Sequence, residues 1–520
     1  MAQGTYPHPV PSLHLMPHLR LVSLYSALQL CHIVRARASL ADAAALIQQD
    51  LFKPGPQATL TAAGSCSRSP LPAPLHYNYG KYKGVYAPTT VEWGEDEFRQ
   101  AGEIVRSSST YEQLVPLMQK LQRGETLKMV VFGGSSTAGS NCKQGPRMNP
   151  IYAKECAWPR RFQHWLQEAF PQGKVELVNF AQGAATSSSI LAGAGLMLQS
   201  YDSHRADHDK GADIIFVDAL VNDVYQIQND WGHDGSANRR LVDLSTNSAL
   251  AYEQLLRTLH TLQPEAVIFP VIAGCDLCRR HREIHRKVID FYNLPKLDWG
   301  DVVAWKPHLW DGPDVHPFYW YHASLADVMA QLWGSVWQDT CSAGYSRLDW
   351  HRTYNDPAEL KTFQPCLHPL SAYDAAVPSS TKNVEMTGGW ALYEDRPGKP
   401  GWISETPGSR MAMNVKFGKH PVLVISWMRS YEKMGYANMY LNGKNYQLDG
   451  QWTEGLKENV TLAYTRWLQV DRPSIQVGPY EVGVAGFNIG PDSNMTMVFE
   501  VPLDHTVKYK KMKILQVFTC

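Results

Sequence analysis

The sequence LKMVVFGGSSTAG, residues 127–139, contains a predicted strand and a sharp turn. The six mostly apolar residues Leu127–Phe132 predict a short buried strand that runs directly into Gly133, Gly134 and Ser135. A strand that ends at glycines and presents a serine at its carboxyl end is a common way to expose a nucleophilic hydroxyl. Gly-Gly-Ser-Ser is also ordinary loop chemistry, so the interpretation depends on where later motifs fall.

Apolar strands and helical segments alternate on both sides of this sequence. The predicted strands are Leu127–Phe132, Val175–Phe180, Asp213–Leu220, Ala266–Ala273 and Pro295–Trp299. The segments with helical spacing are Glu95–Arg106, Thr110–Arg123, Pro159–Phe170, Thr186–Tyr201, Asn247–Leu262, Arg279–Phe291 and Tyr321–Trp337. Continuous apolar strands that alternate with helices indicate a parallel sheet covered on both faces. We therefore predict an α/β domain over residues 93–345, built on a five-stranded parallel sheet.

The pattern changes after residue 345. Residues 346–385 are rich in proline and are predicted to be a linker. Residues 386–520 show short alternating strands and turns, and Asn442-Gly443 is typical of a two-residue hairpin turn. The candidate strands are Met411–Phe417, Val422–Trp427, Leu462–Val470, Met495–Val501 and Lys513–Phe518. An antiparallel β-sandwich is predicted for this second domain.

The first 38 residues have the form of a secretion signal. Arg20 precedes a mostly apolar run, Leu21–Val34, and Ala36–Ala38 has the small-x-small form of a cleavage site. The run is shorter than the ~20 apolar residues that a membrane span needs, so we expect no transmembrane anchor. Residues 39–92, rich in Pro, Gly and Ser, are predicted to be a low-complexity leader or linker.

Cysteines and glycosylation sequons agree with secretion. Of nine cysteines, Cys31 would leave with the signal, and an even number would remain for disulfides. Asn459 and Asn494 each begin an N-x-T sequon, which is glycosylated in a secretory lumen. We therefore expect a secreted or secretory-pathway glycoprotein.

The composition of the 520 residues is that of a globular protein of more than one domain. Lys and Arg together number 49, and so do Asp and Glu, which gives a formal net charge of zero. This balance offers no electrostatic basis for nucleic-acid binding, and we expect no nucleic-acid partner.

Polar residues follow several predicted strands at the point where each strand ends. Ser135 follows the first strand, Gly183 the second and Asn222 the third, and His316 comes after the last. In an open parallel sheet, ligands bind at the carboxyl ends of the strands, so these residues should meet. They supply a nucleophile, oxyanion donors and a base, which are the groups that acyl transfer requires.

Residues 127 to about 337 resemble the SGNH (GDSL-type) hydrolases. FGGSSTAG resembles the first block of that family, FGDSxTxG, and VNFAQGAATS resembles the block that carries the oxyanion glycine. LVND resembles the block that carries the asparagine, and HPFYWYH has the spacing of HPxxxGH. The resemblance implies a three-layer α/β/α fold and an ester hydrolase without a cofactor or a metal. The β-sandwich is similar to the tails of some algal and plant-like members.

The resemblance also implies a role for each matching residue. Ser135 would be the nucleophile and His316 the base. The backbone N–H groups of Ser135 and Gly183 would form the oxyanion hole together with the side-chain amide of Asn222.

Three positions depart from the family pattern. Gly134 stands where the family has an aspartate beside the nucleophile, and Leu220 stands where many members have glycine. Pro313 occupies the position of the family's triad aspartate, three residues before the histidine. We expect Asp314 to orient the histidine, with Asp311 as the alternative. If neither carboxylate reaches it, the site would be a weakened Ser-His dyad.

Cys275, Cys278, His281 and His285 form a second cluster of reactive side chains. A zinc site is one interpretation, but the pairs are closer together than in finger-type sites. We favour a disulfide in the loop after the fourth strand. The basic run over residues 279–287 is interpreted as the solvated face of a helix.

The second domain carries several large aromatic side chains that could form a sugar-binding platform or fill a sandwich core. They are Trp402, Trp427, Tyr431, Trp452 and Trp467.

The first functional hypothesis is a secreted serine esterase that removes acetyl or similar acyl groups from carbohydrate. Its expected substrates are small esters or acylated carbohydrates, and a lipid ester is the rival class. An acyltransferase would use the same residues with an acceptor hydroxyl in place of water. The third hypothesis is a non-catalytic glycan-binding protein with a degenerate hydrolase domain.

Overall fold

The structure is a computed structural model. It describes residues 95–106, 111–142, 153–203, 205–206, 210–230, 237–307, 316–317, 319–339, 349–360, 369–396, 398–431, 433–451, 461–477, 480–503 and 508–520. All of these residues belong to one compact unit, Ser65–Cys520. The predicted secretion signal and leader, and the sequon residue Asn459, lie outside the described residues.

The first part of the described chain alternates helices and strands. The strands are β1 Thr126–Gly133, β2 Lys174–Asn179, β3 Ile214–Asp218, β4 Val267–Ile272 and β5 Leu297–Asp298. The helices are α1 Glu95–Arg106, α2 Val115–Gln122, α3 Ala153–Cys156, α4 Trp158–Ala169, α5 Ser187–Asp202, α6 Leu220–Asp230, α7 Ala237–Leu262, α8 Asp276–His281, α9 Glu283–Phe291, α10 Trp299–Trp305, α11 Tyr319–Asp339 and α12 Pro357–Leu360. A 3₁₀ turn, Glu112–Leu114, precedes α2.

The five strands form one parallel sheet in the order β2-β1-β3-β4-β5. Alternate residues of β1 point to opposite faces, as strand geometry requires. Val130 and Phe132 pack with residues of α5, α6, α7 and α9. Met129 and Val131 pack with residues of α1, α2, α4, α10 and α11. Helices therefore cover both faces, and the predicted three-layer α/β/α arrangement with a five-stranded parallel sheet is confirmed.

The second part of the described chain is built from strands. They are β6 Ser371–Asp374, β7 Val384–Thr387, β8 Ala391–Glu394, β9 Pro400–Ser404, β10 Arg410–Lys416, β11 Val422–Ser430, β12 Tyr436–Leu441, β13 Lys444–Asp449, β14 Thr461–Gln469, β15 Ser474–Val477, β16 Tyr480–Ala485, β17 Asn494–Glu500 and β18 Met512–Thr519. One sheet has the order β13-β12-β17-β10-β7, and the other has the order β16-β15-β14-β11-β18-β9-β8, with β6 also paired to β18. The strand ladders within both sheets are antiparallel, so the predicted all-β domain is confirmed.

Two features of this domain bear on the sequence predictions. Asn442-Gly443 joins β12 to β13 as the predicted hairpin, with Leu441 paired to Lys444. Residues 346–385 are predicted to be a linker, but β6 lies within this segment and β7 begins in it, and these strands pair with strands of the two sheets. The all-β domain therefore begins earlier in the chain than residue 386.

The two parts of the chain share a continuous apolar core. Residues of α5 such as Ile190 and Leu191 belong to the same buried cluster as Trp402, Leu468 and Ile514 of the β domain. A separate observation concerns membranes: across the described ranges, we find no helix with the length and apolarity of a bilayer span.

Candidate active site

Ser135 lies in the turn that follows β1, at the carboxyl end of the parallel sheet. The residue is buried, with 4% of its surface exposed. Nε2 of His316 lies 2.8 Å from its Oγ, within hydrogen-bond distance. A serine hydroxyl in contact with an imidazole nitrogen is the pairing that lets histidine accept the proton when serine attacks a carbonyl.

His316 is half-buried, and its backbone is tied to the loop after β1. Nδ2 of Asn141 donates a hydrogen bond to the carbonyl oxygen of His316 at 3.4 Å. Asp311 and Asp314, the two candidates for orienting this ring, lie outside the described residues, and their roles stay predictions.

Asp218, the last residue of β3, braces the turn that carries Ser135. Its carbonyl oxygen accepts the N–H of Gly134 at 2.9 Å, and its carboxylate accepts the hydroxyl of Thr137 at 2.6 Å. Nε1 of Trp158 donates to that same hydroxyl at 3.2 Å. Burial raises the pKa of the Asp218 carboxyl to about 6, and the hydrogen bond from Thr137 opposes that rise. The turn after β1 is thus held from the neighbouring strand by both backbone and side chain.

Asn222 lies in the first turn of α6 and is buried. Its Nδ2 donates to the carbonyl oxygen of Ala185 at 2.7 Å. An amide nitrogen carries two hydrogens, so the same group can also donate to an oxyanion.

The position of the Asn222 amide explains the glycine at position 134. A Cβ placed on Gly134 would lie 2.3 Å from Nδ2 of Asn222. A side chain at this position, such as the aspartate of the block FGDSxTxG, would therefore require the amide of Asn222 to move.

Gly183 lies in the loop between β2 and α5. The preceding residue, Gln182, donates its N–H to the carbonyl oxygen of Gly133 at 3.0 Å, which ties this loop to the turn after β1. A Cβ on Gly183 would lie 2.1 Å from Cε of Lys399, a residue of the β domain. A cavity next to this glycine is lined by residues of both domains, among them Gln182, Lys399 and Gln516.

A buried polar network supports the helix that carries Asn222. The carboxylate of Asp223 accepts the N–H of Ser187 at 2.8 Å and its hydroxyl at 2.5 Å. Nε2 of His285 lies 2.8 Å from the same carboxylate, and its ring stacks on Tyr252 with 3.6 Å between the ring centroids. Because Asp223 is adjacent to Asn222, this network fixes the start of α6 against the start of α5.

His322, the second histidine of HPFYWYH, is buried in the α/β core. Its Nδ1 accepts the N–H of Trp158 at 3.4 Å. Burial first, and then the charge of Arg161, lower the pKa of His322 to about 3 against the opposing effect of a backbone hydrogen bond involving Ser140. The imidazole is therefore neutral at ordinary pH and ties α4 to α11.

The cysteine cluster forms a disulfide in this structure. Cys275 and Cys278 are bonded to each other, as predicted for the loop after the fourth strand. Both sulfur atoms that a zinc site would use are engaged in that bond. A second disulfide joins Cys142 to Cys156.

Most of the described aromatic candidates of the β domain are buried. Trp402, Trp427 and Trp467 have 3% or less of their surface exposed, and they fill the sandwich core. Tyr431 is 37% exposed, and Trp452 lies outside the described residues. Three of these side chains therefore offer no face to a sugar ring.

Sequence reasoning did not identify several residues that shape the site. Thr137 lies in FGGSSTAG, and Asp218 lies two residues before LVND, so their closeness to these motifs is the signal that the sequence offers for them. The sequence pattern associates His285 only with the cysteine cluster and a metal site. Lys399 lies more than two hundred residues after Gly183 in the sequence, and no local pattern links the two.

No protein-family model and no curated protein matches the chain. Among solved structures it is similar to a two-domain esterase (CEX) active on acetylated mannans, with 17% identity, 79% of this chain and 95% of that chain covered, and a TM-score of 0.50. A second structure of that esterase, co-crystallized with mannopentaose, has a TM-score of 0.49 at 17% identity, covering 78% of this chain and 94% of that one. Axe2, an acetylxylan esterase from Geobacillus stearothermophilus, is 16% identical and covers 42% of this chain and 97% of its own, with a TM-score of 0.28. The first likeness shows that the chain shares a two-domain fold.

Proposed function

We propose that this protein is a serine esterase of the SGNH type that removes acetyl groups from carbohydrate. The observation that carries the proposal is the 2.8 Å contact between Oγ of Ser135 and Nε2 of His316 at the carboxyl end of the parallel sheet. A degenerate, purely glycan-binding domain would have no need of this pairing.

In the proposed mechanism, Oγ of Ser135 attacks the ester carbonyl while His316 accepts the hydroxyl proton. The negative charge on the carbonyl oxygen is stabilised by the N–H groups of Ser135 and Gly183 and by the amide of Asn222. The bond between the carbonyl carbon and the sugar oxygen then breaks, His316 gives the proton to that oxygen so that the sugar leaves as an alcohol, and the acetyl group remains on Ser135. Water, deprotonated by the same histidine, then hydrolyses the acyl-enzyme and releases acetate.

The carbohydrate preference is supported by the shared two-domain fold, since the similar solved structure is an esterase active on acetylated mannans. Asp314, or Asp311 in its place, would orient the second nitrogen of His316. Secretion and glycosylation remain part of the proposal, and Asn494 is exposed where a glycan would attach.

The test is release of p-nitrophenol from p-nitrophenyl acetate by the wild-type protein and by Ser135→Ala. The neighbouring Ser136→Ala is the matched control, because its buried hydroxyl has no hydrogen-bond partner within the described part of the chain. We expect activity in the wild type and in Ser136→Ala and its loss in Ser135→Ala. Equal rates with and without the Ser135 hydroxyl would refute the mechanism.

The substrate is tested separately by acetate release from acetylated mannan and acetylated xylan, with a long-chain lipid ester for comparison. We expect faster release from the polysaccharides. Hydrolysis of the lipid ester alone would overturn the carbohydrate assignment and leave the serine mechanism in place.

A further inference from the structure

Ala184, the residue after Gly183, has a left-handed backbone conformation. Its φ is +77°, in a region that residues with a Cβ rarely adopt. Such a conformation persists only where the surrounding structure enforces it. Ala184 is also buried, with 2% of its surface exposed.

The backbone partner of Ala184 comes from the β domain. Ala463, in β14, donates its N–H to the carbonyl oxygen of Ala184 at 2.9 Å. The carbonyl oxygen of Ala463 accepts the hydroxyl of Thr186 at 3.4 Å. The ladder between β14 and β15 contains only Leu468 and Gln469 of β14 in the described chain. The edge of β14 at Ala463 therefore pairs with the loop of the α/β domain.

The side chain of Ala184 is also enclosed by the β domain. It forms a small buried apolar cluster with Met428 and Met434, and Leu515 packs against that cluster. Met428 lies directly opposite Ala463 in the ladder between β11 and β14. The same few residues of the β domain thus contact both the backbone and the side chain of Ala184.

Lys399 adds a contact to the preceding residue. Its side chain passes so close to Gly183 that a Cβ there would lie 2.1 Å from Cε and 3.0 Å from Nζ of the lysine. Lys399 precedes β9, so this contact comes from a different strand connection of the β domain. Two separate parts of the β domain therefore hold Gly183 and Ala184.

We infer that the β domain is a positioning element of the active site, which holds Gly183 and Ala184 through Ala463 and Lys399 so that the Gly183 N–H faces the oxyanion. The inference rests on the proposed function, in which that N–H stabilises the tetrahedral intermediate. If Ala184 relaxed to negative φ, the chain direction at Gly183 would change, and a glycine does not resist that rotation. The β domain would then act on the chemical step itself, in addition to any contact with the glycan.

The first test is Ala463→Pro, which deletes the N–H that Ala184 accepts. A proline is tolerated on a strand edge where the N–H does not serve the sheet. We expect kcat on p-nitrophenyl acetate to fall about tenfold or more with little change in KM, since misplacing a catalytic group affects mainly the transition state. The small substrate is used because it needs no glycan contact.

The second test is rescue by Ala184→Gly. Glycine adopts positive φ without a steric cost, so it no longer needs the β domain to enforce that conformation. We expect Ala184→Gly alone to keep nearly wild-type activity, and Ala184→Gly combined with Ala463→Pro to recover most of the lost kcat. A loss caused only by a less stable fold would not be recovered in this way.

Lys399→Ala and Lys399→Met test the contact between Lys399 and Gly183. They decide whether the β domain positions the site if Ala463→Pro fails to fold. Methionine keeps most of the unbranched chain that lies against Gly183, so we expect it to retain the kcat that alanine loses. Gln447→Pro, on the edge strand β13 far along the other sheet, is the matched proline control. Lys444→Ala, at an exposed position of that strand, is the lysine control.

The outcomes separate the two proposals. If the wild type is active, Ser135→Ala is inactive and folded Ala463→Pro and Lys399→Ala both keep wild-type kcat, the positioning role is overturned and the esterase stands. Equal activity of wild type and Ser135→Ala overturns the proposed function. Loss of kcat in both β-domain variants, with rescue by glycine and by methionine, supports the positioning role.

Discussion

The space beside Gly134 gives the sharpest prediction about the proposed oxyanion hole. In Gly134→Ala, the new Cβ would lie 2.3 Å from Nδ2 of Asn222, whereas ordinary contacts begin at 3.4 Å. The amide of Asn222 must therefore move by about 1 Å, a displacement that can cost about a hundredfold in rate when it affects a catalytic group. Asn222→Ala removes the donor altogether, and loss of one such donor costs about 10²–10³ in kcat, or about 2.7–4 kcal/mol.

The effects of Gly134→Ala and Asn222→Ala on kcat should not be additive. Once the Asn222 side chain is truncated to alanine, the space beside position 134 is empty and the added Cβ meets nothing of that amide. We therefore expect Gly134→Ala to cost about a hundredfold in the wild-type background and close to nothing in the Asn222→Ala background. Initial rates on p-nitrophenyl acetate for the four proteins measure the coupling.

Gly334→Ala is the matched glycine control, because nothing lies within 4 Å of a Cβ at that position in α11. We expect it to keep full activity, and circular dichroism confirms that each variant is folded. Wild-type kcat in Gly134→Ala would refute the reasoning. So would an equal loss from that substitution in both backgrounds.

Three further predictions concern the supports of the site. Replacing Cys142 and Cys156 by alanine should lower the free energy of unfolding by about 3 kcal/mol, the value typical of a loop of this length, as measured by urea unfolding. Asp218→Asn should change the pH dependence of stability. Burial raises the pKa of this carboxyl from 3.8 to about 6, so in the wild type its contribution to stability falls by about 3 kcal/mol as pH rises from about 3 to about 7. His285→Phe should lower both stability, by about 3 kcal/mol or more, and kcat, because it leaves the buried carboxylate of Asp223 without its imidazole partner.

Each of these predictions has an outcome that contradicts it. An unchanged urea midpoint in the cysteine double variant would show that the disulfide does not stabilise the fold. For Asp218, the sign follows from the folded state binding the proton more tightly than the unfolded state, so stability curves of wild type and Asp218→Asn that stay parallel from pH 4 to pH 6 would disprove the raised pKa. Wild-type kcat in a folded His285→Phe protein would show that this histidine has no influence on Asn222.

Much of the fold could be predicted from local pattern. Helix α1 begins and ends at the predicted residues Glu95 and Arg106, because amphipathic spacing is written in consecutive residues. The predicted helix Arg279–Phe291 is instead two helices, α8 and α9, which meet at Arg282. The prediction of a linker over residues 346–385 does not hold at β6. A strand of four residues forms because its partner β18 pairs with it, and its own sequence has too few residues to show a strand pattern.

The sequence by itself determined the fold class of this protein, because apolar runs predicted the parallel strands, and it made the residues just after those strands the candidates for nucleophile, base and oxyanion donors. Only the tertiary structure decided what surrounds them. The amide of Asn222 lies against Gly134, where a side chain would begin, and Ala463 contacts the left-handed Ala184 from a strand more than two hundred residues away. The periodicity of strands and helices is a property of neighbouring residues, so it can be read from the sequence. These two contacts instead depend on how segments far apart in the sequence pack together, and no local sequence pattern records that packing.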